Sequence, residues 1–204
     1  MKHKISRLIF IPLLLIFTFY SCKENLVTSD EESDLKYPIG RFQFTQSIPI
    51  PRSEYIRQFR SAPNILHDAV KNLEENQLLS PYRPGGWTIA QVVHHLVESD
   101  VNAYPRLKYA LTQDAPDVMV AQQQLWAELP DAKSQNISSS LVLFEAIRNR
   151  WADAFESLSP EDFNRQWRHN RYGLLTIDTL LRQYAWHAQH HTAQISEHRK
   201  RMGW

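Results

Sequence analysis

The 204-residue chain has one cysteine, five glycines and no essentially apolar run longer than 13 residues. One cysteine cannot form an internal disulfide, so a disulfide-stabilised framework is excluded. The small number of glycines argues against a glycine-rich phosphate-binding loop and against a β-sandwich with many tight turns. As a helix, 13 residues reach about 20 Å, short of the ~30 Å hydrocarbon core of a bilayer. A membrane-spanning segment is therefore not expected.

The chain also lacks an excess of positive charge. Its formal net charge is +1, and from residue 22 onward it has 20 basic and 22 acidic residues. A protein that binds nucleic acid through the phosphates needs a basic surface, so nucleic acid is not an expected partner. The length suits one well-cored domain.

Residues 1–21 are typical of a signal peptide of the bacterial lipoprotein type. Basic residues without acidic ones occupy positions 1–7, residues 8–20 are apolar apart from one threonine, and Ser21 directly precedes Cys22. This is the pattern of an export signal, and a cysteine after the small residue resembles a lipobox. We expect an exported protein that is anchored through lipidated Cys22 on the periplasmic side of the inner or outer membrane, or on the cell surface. The alternative is a plain signal peptide with an inert cysteine.

Residues 22–36 are polar and acidic without apolar periodicity, which predicts a tether, and the folded domain is expected to cover residues 37–204. Within it, apolar residues recur at helical spacing in four stretches. These stretches run approximately over residues 53–76, 88–111, 140–158 and 177–201. Residues 113–139 form a long connection for a bundle and include a short helical pattern at 122–129. The predicted fold is an all-α four-helix bundle with a long crossover connection between helices 2 and 3.

Local signals refine this prediction. Thr88 and Gln91 form the pattern of a capping box at the start of the second helix. Pro63 is expected to kink or divide the first helix, and Pro105 to disturb the second. Residues 164–175 are expected to form a small hairpin or a loop.

Five of the nine histidines form two clusters. His187 and His191 lie one turn apart on the fourth helix, so two imidazoles can reach one metal ion, and His190 is the next-best partner. His94 and His95 lie in the apolar second helix and differ in direction by about 100°. A histidine there is more often a hydrogen-bonded core residue, but a third imidazole from this pair would complete a three-histidine site with an open position, as in catalytic zinc sites. Spacing does not choose between His94 and His95.

Several motifs, in order along residues 37–204, resemble the YfiT branch of the DinB superfamily. They are Tyr82-Arg83-Pro84-Gly85-Gly86-Trp87-Thr88, Gln91-Val92-Val93-His94-His95-Leu96, Tyr184-x-Trp186-His187-x-x-His190-His191 and Arg201-Met202-Gly203-Trp204. The resemblance implies a DinB-like four-helix bundle that binds one divalent metal ion, zinc or nickel. It assigns the ligands to His95, His187 and His191, and it places His94 and His190 beside them as contacts to the ligands or to the substrate.

Three further charged residues follow His95 on the second helix. Glu98, one turn after His95, is a candidate catalytic proton acceptor, and the alternative is a solvated carboxylate. Arg106 is a candidate for binding a substrate carboxylate, and the alternative is a structural salt bridge. Asp100 is expected on the surface.

For activity the resemblance implies two alternatives, because relatives are described either as metal-dependent hydrolases or as S-transferases that use a small thiol such as bacillithiol. A three-histidine metal can lower the pKa of bound water to about 7, or it can bind a thiol as its thiolate. The leading expectation is a transferase that joins a low-molecular-weight thiol to a small-molecule substrate. A lipid-anchored, non-catalytic metal- or ligand-binding module is an alternative of another class. The resemblance also suggests a homodimer.

Overall fold

The structure, a computed structural model, describes residues 29–44 and 50–204. The elements are α1 Ser29–Lys36, α2 Arg52–Val70, α3 Glu75–Leu78, α4 Ile89–Thr112, α5 Gln123–Trp126, α6 Ser138–Glu156, a 3₁₀ turn Asp162–Asn164, β1 Gln166–His169, β2 Gly173–Thr176 and α7 Ile177–Met202. The predicted signal peptide and Cys22 lie outside these ranges. Among the described helices, none has both the length and the apolar character that a membrane crossing requires.

The four long helices form the predicted bundle. Helix α2 packs against α6 and α7, and α4 packs against the same two helices, so α2 and α4 occupy diagonal corners. The crossover between α4 and α6 contains only the short helix α5. The predicted all-α four-helix bundle with one long connection is therefore confirmed.

A buried ion pair links two apolar clusters of the core. The guanidinium of Arg148 lies 4.3 Å from the ring centre of Phe59, in one cluster, and 4.9 Å from that of Phe144, in the other. Its Nε and Nη2 atoms donate to the carboxylate of Asp100, and its Nη1 donates to the carbonyl oxygen of Tyr184. Asp100 has 0% of its surface exposed, so the prediction of a surface position was wrong. Its partner lies 48 residues away along the chain, where helical periodicity does not reveal it.

The helix ends follow local chemistry, but the two prolines do not interrupt their helices. The backbone N–H of Gln91 donates to Thr88 Oγ1 at 3.1 Å and the Thr88 N–H donates to Gln91 Oε1 at 2.9 Å, which confirms the capping box. Helix α2 continues past Pro63, so the prediction that Pro63 divides the first helix is wrong, and α4 continues past Pro105. A proline removes a single N–H donor, and packing on both neighbouring helices holds the remaining turns.

Two segments, the end of α2 and residues 29–36, differ from the sequence-based prediction, and a third, residues 166–176, agrees with one of its alternatives. Helix α2 ends six residues early, and Asn72 adopts a left-handed φ of 60° there, which asparagine tolerates better than most residues. Residues 166–176 form an antiparallel hairpin in which His169 pairs with Gly173. Ser29–Lys36, predicted as part of the tether, is helical, and the tether and the domain boundary at residue 37 stay predictions.

Candidate metal centre

Three of the histidines converge where α4 packs against α7. His95 projects from α4, and His187 and His191 project from successive turns of α7. One ring nitrogen of each lies within 4.8 Å of the other two, and the Nε2 atoms of His95 and His187 are 3.3 Å apart. Within the described ranges, this is the one group of three potential metal ligands.

The spacing and orientation of these imidazoles suit a small divalent ion. Zinc–nitrogen bonds of about 2.0–2.1 Å in tetrahedral geometry put neighbouring nitrogens about 3.3 Å apart, which is the distance between His95 and His187. The three rings meet edge to face, with interplanar angles of 71°, 75° and 85°, so they do not stack. Imidazole nitrogens are preferred ligands of zinc and nickel. The donor set therefore fits the predicted metal, and three ligands leave a coordination position for a reactant.

Burial keeps the three imidazoles in the neutral form that binds metal. It lowers the pKa of His95 to about 4, with a smaller contribution from the nearby His190. Burial is also the main reason that the pKa values of His187 and His191 lie well below 6.5. At neutral pH no proton has to leave before a metal ion binds.

Gln194, which the sequence analysis missed, determines which nitrogen of His191 is free. Its Nε2 donates to the carbonyl oxygen of Lys36 at 2.7 Å, which identifies its Oε1 as the acceptor, 2.8 Å from Nδ1 of His191. Nδ1 of His191 therefore carries the hydrogen, and Nε2 presents its lone pair to the metal position. The available sequence signal was a glutamine nearly one turn after His191 on the same helix.

His94 and His190 lie beside the cluster, each in a different role. His94 is buried, with Nδ1 2.8 Å from Ser140 Oγ and Nε2 2.8 Å from the carbonyl oxygen of Ser134. Both of its nitrogens are therefore occupied, and it connects α4 to the crossover and to α6. The ring of His190 stacks on Trp186, with ring centres 4.6 Å apart, and its Nε2 is 3.1 Å from Nε2 of Gln194.

A cavity of about 590 Å³, which we call cavity A, is bordered by His95 and His187. Glu98 lies in its wall, and burial together with the nearby Asp131 raises the pKa of Glu98. Arg106 lies in the wall as well and donates to Asn102 Oδ1 at 2.7 Å. The alternative of a structural salt bridge is wrong, because no carboxylate of the described residues forms an ion pair with Arg106. The walls of cavity A are completed by residues 120–126 of the crossover and 169–172 of the hairpin.

A second cavity, cavity B, of about 520 Å³ adjoins the other side of the ligand cluster. His187 borders both cavities, whereas His190 and His191 border cavity B alone. Aromatic side chains line much of it, including Tyr37, Trp87 and Trp186. The crossover and hairpin residues that separate the cavities were not predicted as site residues, because their approach to the histidines depends on the tertiary fold.

Comparison with known proteins gives one consistent result. The profile of the DinB superfamily matches residues 58–195. A protein of Bacillus cereus (strain 03BB102), named "Putative metal-dependent hydrolase", is 41% identical over 173 residues, which are 84% of this chain and 99% of that protein. A protein of Bacillus thuringiensis subsp. konkukian with the same descriptive name matches to the same extent. The structure of YfiT from Bacillus subtilis, described as a probable metal-dependent hydrolase with an unusual four-helix bundle topology, superposes with a TM-score of 0.81 at 37% identity, covering 84% of this chain and 99% of that one.

Proposed function

The chain belongs to the DinB superfamily and is a metal-dependent enzyme, and from that premise we propose that it transfers a small thiol to an electrophile. In this proposal zinc or nickel is bound by His95, His187 and His191. The observation that carries it is the pair of cavities that meet at His187. Hydrolysis requires one organic molecule and water, whereas thiol transfer requires two organic molecules at the metal together. Two adjacent cavities of several hundred cubic ångströms suit the second case.

His95, His187 and His191 would hold a divalent ion, which would lower the pKa of a thiol bound to it and favour the thiolate. Glu98, in the wall of cavity A, would accept the thiol proton, and its raised pKa makes it a better proton acceptor than a solvated glutamate. The thiol sulfur would then form a bond to the electrophilic carbon while the bond from that carbon to its leaving group, bromide in monobromobimane, breaks. Gln194 holds His191 in the tautomer that ligates. The aromatic side chains of cavity B provide the apolar surface against which the electrophile packs.

Hydrolysis is the second candidate, because the relatives and the similar structure are described as metal-dependent hydrolases. In that case Glu98 would accept a proton from water in place of a thiol. A metal-binding module without turnover would use the same ligands.

The test compares the metal-loaded protein with His95→Ala and with His94→Ala as the matched control. Thiol transfer predicts that monobromobimane is consumed only when a thiol such as cysteine or bacillithiol is present. His95→Ala should lose both this activity and stoichiometric metal, whereas His94→Ala should retain metal because its side chain binds Ser134 and Ser140. Turnover of an activated ester without thiol would instead establish hydrolysis. Metal uptake without thiol transfer and without ester hydrolysis would favour the non-catalytic metal-binding module.

We also propose that the protein is exported and lipidated at Cys22, on the support of the sequence pattern alone. Radiolabelled palmitate should be incorporated into the intact chain and not into Cys22→Ser. Incorporation that persists in the variant would refute the anchor. The homodimer also stays a prediction.

A further inference from the structure

We propose that Arg106 and His169 form an anion-binding subsite in cavity A, away from the metal ligands, and that the molecule which reacts at the metal carries a carboxylate that binds there. The assignment of that carboxylate to the reacting molecule rests on the proposed function. The subsite itself rests on the charges and hydrogen bonds around Arg106.

Arg106 is a buried cation without a counter-charge. Three arginines among the described residues are buried, and two of them have a carboxylate: Arg148 pairs with Asp100, and Arg182 pairs with Asp178. Arg106 is 6% exposed and has none within ion-pair range. An unpaired buried charge is costly, so an anion from solution would gain a strong interaction there.

The hydrogen bonds of Arg106 are also incomplete. Its Nη2 donates to Asn102 Oδ1 at 2.7 Å, while the contact from Nη1 to the Tyr184 hydroxyl is long, at 3.4 Å. Its Nε is buried without a partner. A guanidinium has five N–H donors and binds a planar carboxylate well. Arg106 borders cavity A, and the donors that Asn102 and Tyr184 do not use give it the capacity to bind one.

His169 supplies a second donor to the same cavity. Its Nδ1 accepts the backbone N–H groups of Arg171 at 2.9 Å and Tyr172 at 3.3 Å. The hydrogen of the neutral ring therefore lies on Nε2, which can only donate. Arg106 and His169 both border cavity A and both lie against the ring of Trp167, whose centre is 5.4 Å from the Arg106 guanidinium and 5.7 Å from the centre of the His169 ring. Burial and then the charge of Arg106 lower the pKa of His169.

The position of the subsite indicates the length of the ligand. Asn102, which holds the Arg106 guanidinium, follows His95 by seven residues, or about 10 Å along the helix axis. Tyr184 lies between the subsite and the metal ligands. Its hydroxyl contacts Arg106, and the centre of its ring is 5.7 Å from the centre of the His187 ring. A ligand that reaches both ends is an extended small molecule with its reacting atom several bonds from the carboxylate.

Neither the acidic residue of cavity A nor the cations of cavity B change the assignment of the anion-binding subsite to Arg106. Glu98 is the acidic residue in the wall of cavity A, and it lies eight residues, or about 12 Å of helix, from Arg106. Cavity B is bordered by four cations, Lys36, Arg41, Arg83 and Arg171, of which Arg171 also borders cavity A. Arg83 donates to the Tyr82 hydroxyl and to the carbonyl oxygen of Pro84. The other three are exposed, so solvent screens them. Arg41, whose guanidinium lies 3.8 Å from the Tyr37 ring centre, therefore serves as the matched control.

The first experiment titrates the zinc-loaded protein with acetate, or with its neutral isostere acetamide, at constant ionic strength. The Nε–H resonance of Arg106, assigned by its loss in Arg106→Gln, is followed by nuclear magnetic resonance. Acetate should shift it in a saturable way in the wild type and in Arg41→Gln, and acetamide should not. No shift with acetate, or an equal shift with acetamide, would overturn the subsite.

The second experiment uses the cobalt-loaded protein and the absorption band of a cobalt–thiolate bond. The wild type should bind 6-mercaptohexanoate about tenfold more tightly than 6-mercaptohexanol, the effect of one charge-assisted hydrogen bond. The preference should fall below about twofold in Arg106→Gln, with unchanged cobalt uptake as evidence of folding, and should persist in Arg41→Gln. Equal affinities in the wild type, or loss of the preference in Arg41→Gln alone, would refute the assignment. If neither thiol produces the band, the proposed thiol chemistry is wrong, and the acetate titration still decides the subsite.

Discussion

Metal binding by this protein should tolerate acid, because two of the three proposed ligands, His95 and His191, are buried and the third, His187, is half-buried. Protons and metal ions compete for the same imidazole lone pairs, so the pKa of each free ligand determines how much affinity is lost at low pH. We consider a decrease in pH from 7.5 to 5.5 and the resulting change in the apparent dissociation constant of the protein for zinc.

The expected magnitude follows from the pKa values. A solvated imidazole with a pKa of about 6.5 is roughly 90% protonated at pH 5.5, and three such ligands would weaken binding by about a thousandfold. His95, with a pKa of about 4, is only about 3% protonated at that pH. The pKa values of His187 and His191 are lowered in the same direction. The apparent dissociation constant should therefore rise by less than about tenfold.

The measurement is a competition titration against a chelator of known pH dependence, at pH 7.5, 6.5 and 5.5. A peptide of residues 183–195 presents His187, His190 and His191 to solvent and serves as the control, with an expected loss of about a hundredfold when two of its imidazoles bind the metal. A loss close to a thousandfold in the protein would show that its histidines titrate like solvated ones and would refute the reasoning.

The same pKa shifts affect the metal-free fold. Below about pH 6.5 the unfolded chain binds protons at positions that the folded chain keeps neutral. The free energy of unfolding should therefore decrease as the pH falls from 6.5 toward 4, the pKa of folded His95, and thermal melts at pH 7 and 5 measure this change.

Two further substitutions test the surroundings of the site. Gln194→Leu removes the acceptor of the His191 Nδ1–H and should weaken metal binding by about 10–100-fold with an unchanged circular dichroism spectrum, and wild-type affinity would contradict the role of Gln194. Asp100→Asn leaves the Arg148 charge buried without a counter-charge and should reduce the free energy of unfolding by about 3–5 kcal/mol, measured by urea denaturation. The double variant Asp100→Leu with Arg148→Met should recover most of this loss, and a reduction below about 1 kcal/mol in Asp100→Asn would contradict the argument.

The amino-acid sequence by itself determined the features that depend on neighbours within about one helical turn. The capping box of Thr88 and Gln91 and the one-turn spacing of His187 and His191 are local, and both are present in the structure. The hairpin around Gly173 is also local, although the sequence left it open against a loop. Periodicity of apolar residues gave the four long helices for the same reason, because the side that a helix buries is encoded along its own length.

Prolines show where local signals fail. Pro63 and Pro105 each remove one backbone donor, and on local evidence Pro63 predicts a kink or a division of its helix and Pro105 predicts a disturbance. Both lie inside continuous helices, because contacts with neighbouring helices outweigh the loss of one hydrogen bond. The family resemblance, carried by motifs spread along the chain, supplied the choice of His95 that spacing did not.

Only the tertiary structure decided which side chains meet. It placed His95 opposite His187 while His94 binds Ser134 and Ser140. Likewise, it paired Asp100 with Arg148 and left Arg106 without a carboxylate, although both arginines are equally basic in the sequence. The physical reason is that these outcomes depend on contacts between segments tens of residues apart, and those contacts exist only once the helices have packed.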